Sequence, residues 1–299
     1  MNISKYQKIL NKIVISLLEQ MYENQNDTLT KEVNKIKETN KNQLLNEMAL
    51  VMLKYNIKDS EMDLTKAEQN KVYANICNEI NYMLTNEYNI EEKAIKGILI
   101  ESATDSYYIN SFATSLGINY KLKVVSDEEL EKIINKKICG DIWSNRLWKN
   151  KTQLRKDIKL QVKKFLSGET TVNEISSILE KKYKNNRYVT SRLVNDNIAH
   201  VQEEANKLWK KKHNIKEDMY IGTLDYKICH KCSPYDGKVF SIDEGPEPPL
   251  HVGCRCTRIA MIEGWEPSLR IDNVTKENVE WTTYENWKKK KEKKPNTPN

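Results

Sequence analysis

Apolar residues recur at every third or fourth position through most of the first 215 residues. Tyr6, Ile9, Leu10, Ile13, Val14, Leu17, Leu18 and Met21 form one stripe, and Leu44, Leu45, Met48, Val51 and Met52 a second. This rhythm predicts helix from residue 1 to about 56. It continues through 63–90 and 91–116, with Asp63 before Leu64 as an N-cap and Leu116-Gly117 as a stop. No proline occurs before Pro234 and glycine is scarce, so little interrupts these helices. Residues 118–127 alternate in part and predict a short strand. Arg146 to Phe165 reads as an amphipathic helix, with Leu147, Leu154, Ile158, Val162 and Phe165 on one stripe and Ser167-Gly168 as its end. Thr171-Val-Asn-Glu174 is a capping box for the next helix, which turns Val172, Ile175, Ile178 and Leu179 inward. A third helix is expected from about Tyr188 to Lys212, on Leu193, Val194, Ile198, Val201, Ala205, Leu208 and Trp209.

The pattern changes after His213. Met219 to Leu224 is extended, Cys229 to Gly237 is rich in turn residues, Lys238 to Ile242 is a short strand, and Cys254 to Ile262 alternates as a further strand. About 50 residues of short strands bury little apolar surface, and a bound metal would compensate. The expected organisation is mainly α: a helical N-terminal region over 1–120, and a helical region with a basic helix over 121–215. A small zinc-stabilised β module follows over 216–265, then a C-terminal extension with a Lys-rich tail over 266–299.

Composition sharpens this. Mean hydropathy is −0.74 and 30% of residues are charged, which favours long helices with narrow apolar stripes over one thick core. The net charge of +7 is unevenly spread: residues 288–294 alone hold six Lys and one Glu. Residues 146–164 carry eight Lys or Arg against one Asp. Arg155, Lys156, Lys159, Lys163 and Lys164 are therefore candidates for phosphate-driven, sequence-independent contact with double-stranded DNA; a merely solvated helix face is the alternative. No run reaches the ~18 apolar residues that a membrane span needs, and the N-terminal stretch lacks a secretory pattern. The expected compartment is the cytoplasm of the producing cell.

Of six cysteines, four lie within 28 residues. Cys229-His-Lys-Cys232 is a C-x2-C knuckle, a turn that aims two thiolates at one ion. His251-Val-Gly-Cys254-Arg-Cys256 follows, and in a strand Cys254 and Cys256 share a face. Five candidates compete for four places: Cys229, Cys232 and Cys254, with either His251 or Cys256. A site closed by four protein ligands is structural, and zinc is the expected ion. Buried reduced thiols without an ion are the alternative. His230 is expected to face solvent, and His200 and His213 to be plain surface residues.

Asp225 is positioned to orient the knuckle through backbone N–H groups, and Asp236-Gly237 reads as a turn. Neither Asp225, Asp236 nor Asp243 has a motif partner for hydrolysis. No phosphate-cradling glycine loop or nucleophile elbow occurs, so no catalytic residues are assigned and an enzyme is not expected.

Asp225, Cys229-x-x-Cys232, Tyr235-Asp-Gly-Lys-Val-Phe240 and Pro248-Pro-Leu-His-Val-Gly-Cys-Arg-Cys256, in that order, resemble the C-terminal module of the phage Mu protein F-like head morphogenesis family. Trp143-Ser-Asn-Arg-Leu-Trp148, Arg270-x-Asp-Asn273 and Thr283-Tyr-x-x-Trp287 resemble flanking segments of its relatives, so the likeness covers about 141–290. Where relatives carry Arg-Thr-Glu on the helix before the module, this chain has Asn195-Asp196-Asn197. The resemblance implies a minor capsid protein of the virion head, made in the host cytoplasm and associated with portal, procapsid scaffold or major capsid protein, with some members contacting DNA. A zinc-dependent nuclease or toxin-like effector acting on nucleic acid is the competing expectation.

Overall fold

The computed structural model describes residues 31, 33–115, 120–262 and 269–292. The stripe from Tyr6 to Met21, the Leu116-Gly117 stop and the lysines beyond Glu292 lie outside them. Helix α1 covers 33–54. A tight antiparallel hairpin, β1 (Asn56–Lys58) and β2 (Glu61–Asp63), leads into α2 (Lys66–Ser115). Helices α3 (Asp127–Ile134), α4 (Trp143–Leu166) and α5 (Ile175–Lys212) follow. Strands β3 (Glu217–Ile221), β4 (Val239–Ser241) and β5 (Thr257–Met261) form an antiparallel sheet ordered β4-β3-β5. A second hairpin, β6 (Leu269–Asp272) and β7 (Glu277–Glu280), precedes α6 (Tyr284–Glu292). The expected mainly helical chain with a small C-terminal β region is what is found.

The local sequence explains the differences from expectation. Asp63 does not cap α2, because it ends β2. Thr65 does so, donating its N–H and hydroxyl to Glu68 at 2.9 and 2.6 Å in a capping box. The expected strand at 118–127 is absent over its described residues 120–127. Its carbonyls are taken by side chains instead: Tyr107 Oη donates to Lys123 O at 2.7 Å and Lys212 Nζ to Val124 O at 2.8 Å. The two helices expected between 171 and 212 are one. The polar stretch that looked like a break places Tyr183, Asn186 and Thr190 inward.

The chain divides into two compact units. One runs to Gly97 and resumes over Lys136–Val194. Leu44 and Met48 of α1, Ile80 and Leu84 of α2, Ile158 and Phe165 of α4, and Leu179 and Tyr183 of α5 share its core. A buried ionic cluster shares this interior. Lys37, Glu87, Glu91 and Lys151 are each at most 1% exposed. Lys151 Nζ bonds Glu87 and lies 2.9 Å from Glu91, while Lys37 Nζ lies 2.7 Å from Glu91. Asn186 accepts from Lys37 at 2.6 Å, and Asn40 donates to Glu87 at 2.8 Å. Two positive and two negative charges cancel, which is the condition for keeping them out of water. Burial, reinforced by the charge of Lys151, pulls the Lys37 ammonium down to about 8. Burial acts on Lys151 in the same sense, but the two carboxylates outweigh it and raise its pKa.

The other unit comprises Ile98–Asn135 and the chain from Asn195 onward. Here Trp209 donates to Ser111 Oγ at 2.8 Å and stacks on His213 with ring centroids 4.7 Å apart. His213 also meets Tyr107 and Tyr120, so it is part of an aromatic cluster and not a plain surface residue. The last turns of α5 grip the sheet. Glu203 accepts from the Thr257 hydroxyl, from Arg258 N–H at 3.3 Å and from Asn206 Nδ2 at 3.1 Å. Lys210 Nζ donates to Asp218 at 2.7 Å, and Arg258 Nε to the same buried carboxylate at 2.6 Å.

Two stability predictions follow from these clusters. Lys151→Met leaves Glu87 and Glu91 facing a single lysine and is expected to cost about 3–5 kcal/mol in urea unfolding. Adding Glu87→Met should recover part of that loss. At Glu203, burial outweighs Lys210 and the donated hydrogen bonds and raises the carboxyl from 4.5 to about 7. A raised folded-state pKa contributes stability that is full below the unfolded value and lost as pH rises through the folded one. The thermal midpoint should therefore decline between about pH 4.5 and 7. Glu203→Gln should flatten that decline, and an unchanged profile would contradict the assignment.

Candidate metal centre

The centre is built on two loops beside β3. The first leaves the strand at Gly222, where a Cβ would come within 2.4 Å of Ile228 Cδ1 and displace that side chain. Asp225 then accepts Lys227 N–H at 2.8 Å, as expected of a residue that shapes the knuckle. It has a second partner that spacing did not reveal. Arg255, between the two later cysteines, grips the same carboxylate with two nitrogens at 2.5 and 3.0 Å. This fork ties the two loops together. Burial would raise the Asp225 carboxyl, but the Arg255 bonds outweigh it and hold it below the usual range.

Cys229 and Cys232 flank a turn in which Cys232 and Ser233 donate their N–H groups to Cys229 O at 3.1 and 3.0 Å. In the second loop Cys254 N–H returns to His251 O at 3.0 Å. Cys254 and Cys256 lie before β5, not within it as the alternation suggested, so this turn and not strand geometry presents them. Cys229 Sγ lies 3.5 Å from Cys232 Sγ and 3.1 Å from His251 Nε2. Cys232 Sγ lies 3.4 Å from His251 Nε2 and 3.7 Å from Cys254 Sγ. Two triads result, Cys229–Cys232–His251 and Cys232–Cys254–Cys256, with Cys232 common to both. All five expected residues are brought together, and His230 points to solvent as expected.

The surroundings suit anionic sulfur. Backbone N–H groups of Cys232 and Lys231 are directed at Cys229 Sγ; with the Cys232 side chain they outweigh burial and lower its pKa. A hydrogen bond from Cys256 brings Cys254 down to about 5 against burial, helped by the N–H of Cys256. The same contact, followed by burial, pushes the Cys256 thiol up. Burial raises Cys232 to about 11. His251 is raised, first by its bond to Val252 O, against burial and with the nearby thiols. Tyr220 Oη is buried against the sulfurs of Cys256 and Cys232. A hydroxyl donor beside sulfur fits thiolate ligands. Three thiolates and an imidazole, or four thiolates, form a donor set that could hold a zinc ion.

The C-terminal extension completes the module. Asp236, read from sequence as a simple turn residue, accepts four bonds: Gly222 N–H at 2.7 Å, Arg270 nitrogens at 2.8 and 3.0 Å, and Tyr284 N–H at 2.6 Å. Asp272 accepts from Trp287 Nε1 and Lys291 Nζ, both at 2.8 Å. The far-end segments singled out by resemblance, Arg270-x-Asp-Asn273 and Thr283-Tyr-x-x-Trp287, are thus the residues that fasten this extension. On α4, Arg155 donates to Thr85 at 3.1 Å and lies over the Trp148 ring, and Lys159 donates to Asn81 at 2.8 Å. Lys164 is half-buried, while Lys156 and Lys163 are exposed.

Residues 150–259 match the family described as Phage Mu protein F like protein. The chain is also 25% identical over 247 residues to the NAD(+)–arginine ADP-ribosyltransferase EFV of Enterococcus faecalis, a match that takes in 75% of this chain and 50% of that protein. The chain thus spans about half the length of this curated relative. No solved structure matches. The family match begins within α4, follows α5 and ends in β5, so it takes in the whole Cys/His cluster. That stretch is a phage Mu protein F-like region, the family to which the cysteine and histidine pattern pointed.

Proposed function

We propose that this chain is a non-enzymatic minor head protein that acts in phage head morphogenesis. The observation that carries the reading is the family match running through α5 and the complete Cys229–Cys256 cluster. Its place is the virion head, and its partners are the portal and the procapsid scaffold or major capsid protein. Leu53, Tyr82 and Tyr188 of the helical unit, 85%, 73% and 67% exposed, are candidates for such docking. No described helix is long and apolar enough to cross a membrane.

Within that reading the Cys/His cluster holds one structural zinc through Cys229, Cys232, His251 and Cys254. Cys229, Cys232 and His251 meet within 3.1–3.5 Å of one another, and Cys254 Sγ lies 3.7 Å from Cys232 Sγ. Cys256 remains a thiol donating to Cys254. Bound zinc would supply the cross-link that three short strands cannot provide by burial.

Elemental mass spectrometry of the reduced protein should find one zinc per chain. Cys229→Ser and Cys254→Ser should lose it, together with the near-UV signal of the module, while Cys256→Ser keeps it. Unaltered spectra in Cys229→Ser would contradict a structural ion. For the head role, the full chain should co-elute with the portal protein of the same phage, and Leu53→Glu with Tyr82→Glu should weaken that complex about tenfold. Absence of a complex with any head protein of the same phage would overturn the assignment.

A competing effector reading rests on the likeness to an arginine ADP-ribosyltransferase. Transfer of ADP-ribose from NAD+ to an arginine acceptor, or chelator-sensitive cleavage of nucleic acid, by the purified chain would replace the head-protein reading.

A further inference from the structure

The basic helix is not the best-built polyanion surface of this molecule. Arg155 and Lys159 of α4 are engaged with Trp148, Thr85 and Asn81. The loop of the cysteine knuckle and α6 present a different face. Tyr226 follows the buried Asp225 and is 63% exposed. Its ring rests on Trp287 of α6, with centroids 5.3 Å apart. Trp287 is itself fixed from three sides: Tyr284 stacks on it at 5.8 Å, Lys291 Nζ lies 5.8 Å from its centroid, and its indole N–H is bound to Asp272. The inner side of Tyr226 is therefore braced, and its outer side is open.

The two segments that carry this ring and its brace are rich in exposed lysine. Lys227 and Lys231 are exposed on the knuckle, and Lys288, Lys289 and Lys290 on α6. The acids of the knuckle and of α6 are occupied: Glu285 pairs with Lys289 at 3.3 Å, Glu292 with Lys288 at 3.8 Å, and Asp225 with Arg255. Among the described residues, Lys227, Lys231 and Lys290 form no ion pair. A braced, open aromatic ring amid unneutralised lysines is the arrangement that receives a nucleic-acid strand, the ring stacking on a base and the lysines following the phosphates.

We propose that the knuckle–α6 face, centred on Tyr226, binds a single-stranded stretch of nucleic acid. A single strand is specified because a base paired within a duplex does not offer its face to Tyr226. Binding draws on no base-edge contacts, so it is indifferent to sequence and steeply dependent on salt.

The test is fluorescence anisotropy of the full-length, zinc-replete protein with a labelled 20-nucleotide oligothymidine and a 20-base-pair duplex, over a series of salt concentrations. The single strand should bind more tightly than the duplex. Tyr226→Ala should weaken it about tenfold and Tyr226→Phe should restore it, while zinc content and near-UV spectra stay unchanged in both. Lys227→Glu with Lys290→Glu should weaken binding further and reduce the salt slope. Lys156→Glu with Lys163→Glu on α4 should leave it unchanged. The proposal is overturned if no binding occurs at low salt, if the duplex binds as tightly as the strand, if Tyr226→Ala has no effect, or if the α4 variant abolishes binding.

Discussion

Strands of five, three and five residues cannot enclose a core, and that shortage of burial governs the whole C-terminal part of the molecule. What holds it is a set of buried carboxylates, each shared between segments remote in sequence. Asp218 joins α5 to β5 through Lys210 and Arg258, Asp225 joins the two cysteine loops, Asp236 joins the sheet to the C-terminal extension, and Asp272 fastens α6. Each aspartate is satisfied by several donors, which is what makes its burial tolerable. The cysteines and His251 converge only because these carboxylates fix the loops that carry them.

The helical unit shows the complementary strategy. Its apolar stripes are broken at single positions by Lys37, Glu87, Glu91 and Lys151, and the breaks meet in the interior. An apolar interface between helices tolerates slippage by a turn, whereas a charged residue displaced by a turn would lie unpaired in a dry core. The cluster thus fixes which turn of each helix faces which, a role documented for buried polar residues in coiled coils.

Much of this was legible in the sequence. Period identifies α1, α2, α4 and α5, though not the short helices α3 and α6, and C-x2-C with His-x2-Cys-x-Cys picks out all five residues of the Cys/His cluster that could hold a metal. The remainder is hidden for physical reasons. Lys151 stands four residues after Leu147 and three before Leu154, squarely on the apolar stripe, but in a basic segment it is indistinguishable from a solvated lysine until its partners are seen 60 and 64 residues away. Asp236 precedes a glycine at φ +80 and resembles any turn aspartate, while its ligands come from Arg270 and Tyr284. Glu203, which pairs the helix to the module, falls outside the Asn195-Asp196-Asn197 position where the resemblance directs attention. The strand predicted at 118–127 had partial alternation, but the carbonyls of Lys123 and Val124 are taken by the side chains of Tyr107 and Lys212.

The aspartate pairs also constrain inheritance. They join 218 to 258, 225 to 255, 236 to 270 and 284, and 272 to 287. Laid along the chain these spans overlap without a gap, so any recombination crossover between 218 and 287 separates at least one carboxylate from its partner. A genome that exchanges gene segments can therefore trade this module only whole, with its cysteines, hairpin and terminal helix as one cassette.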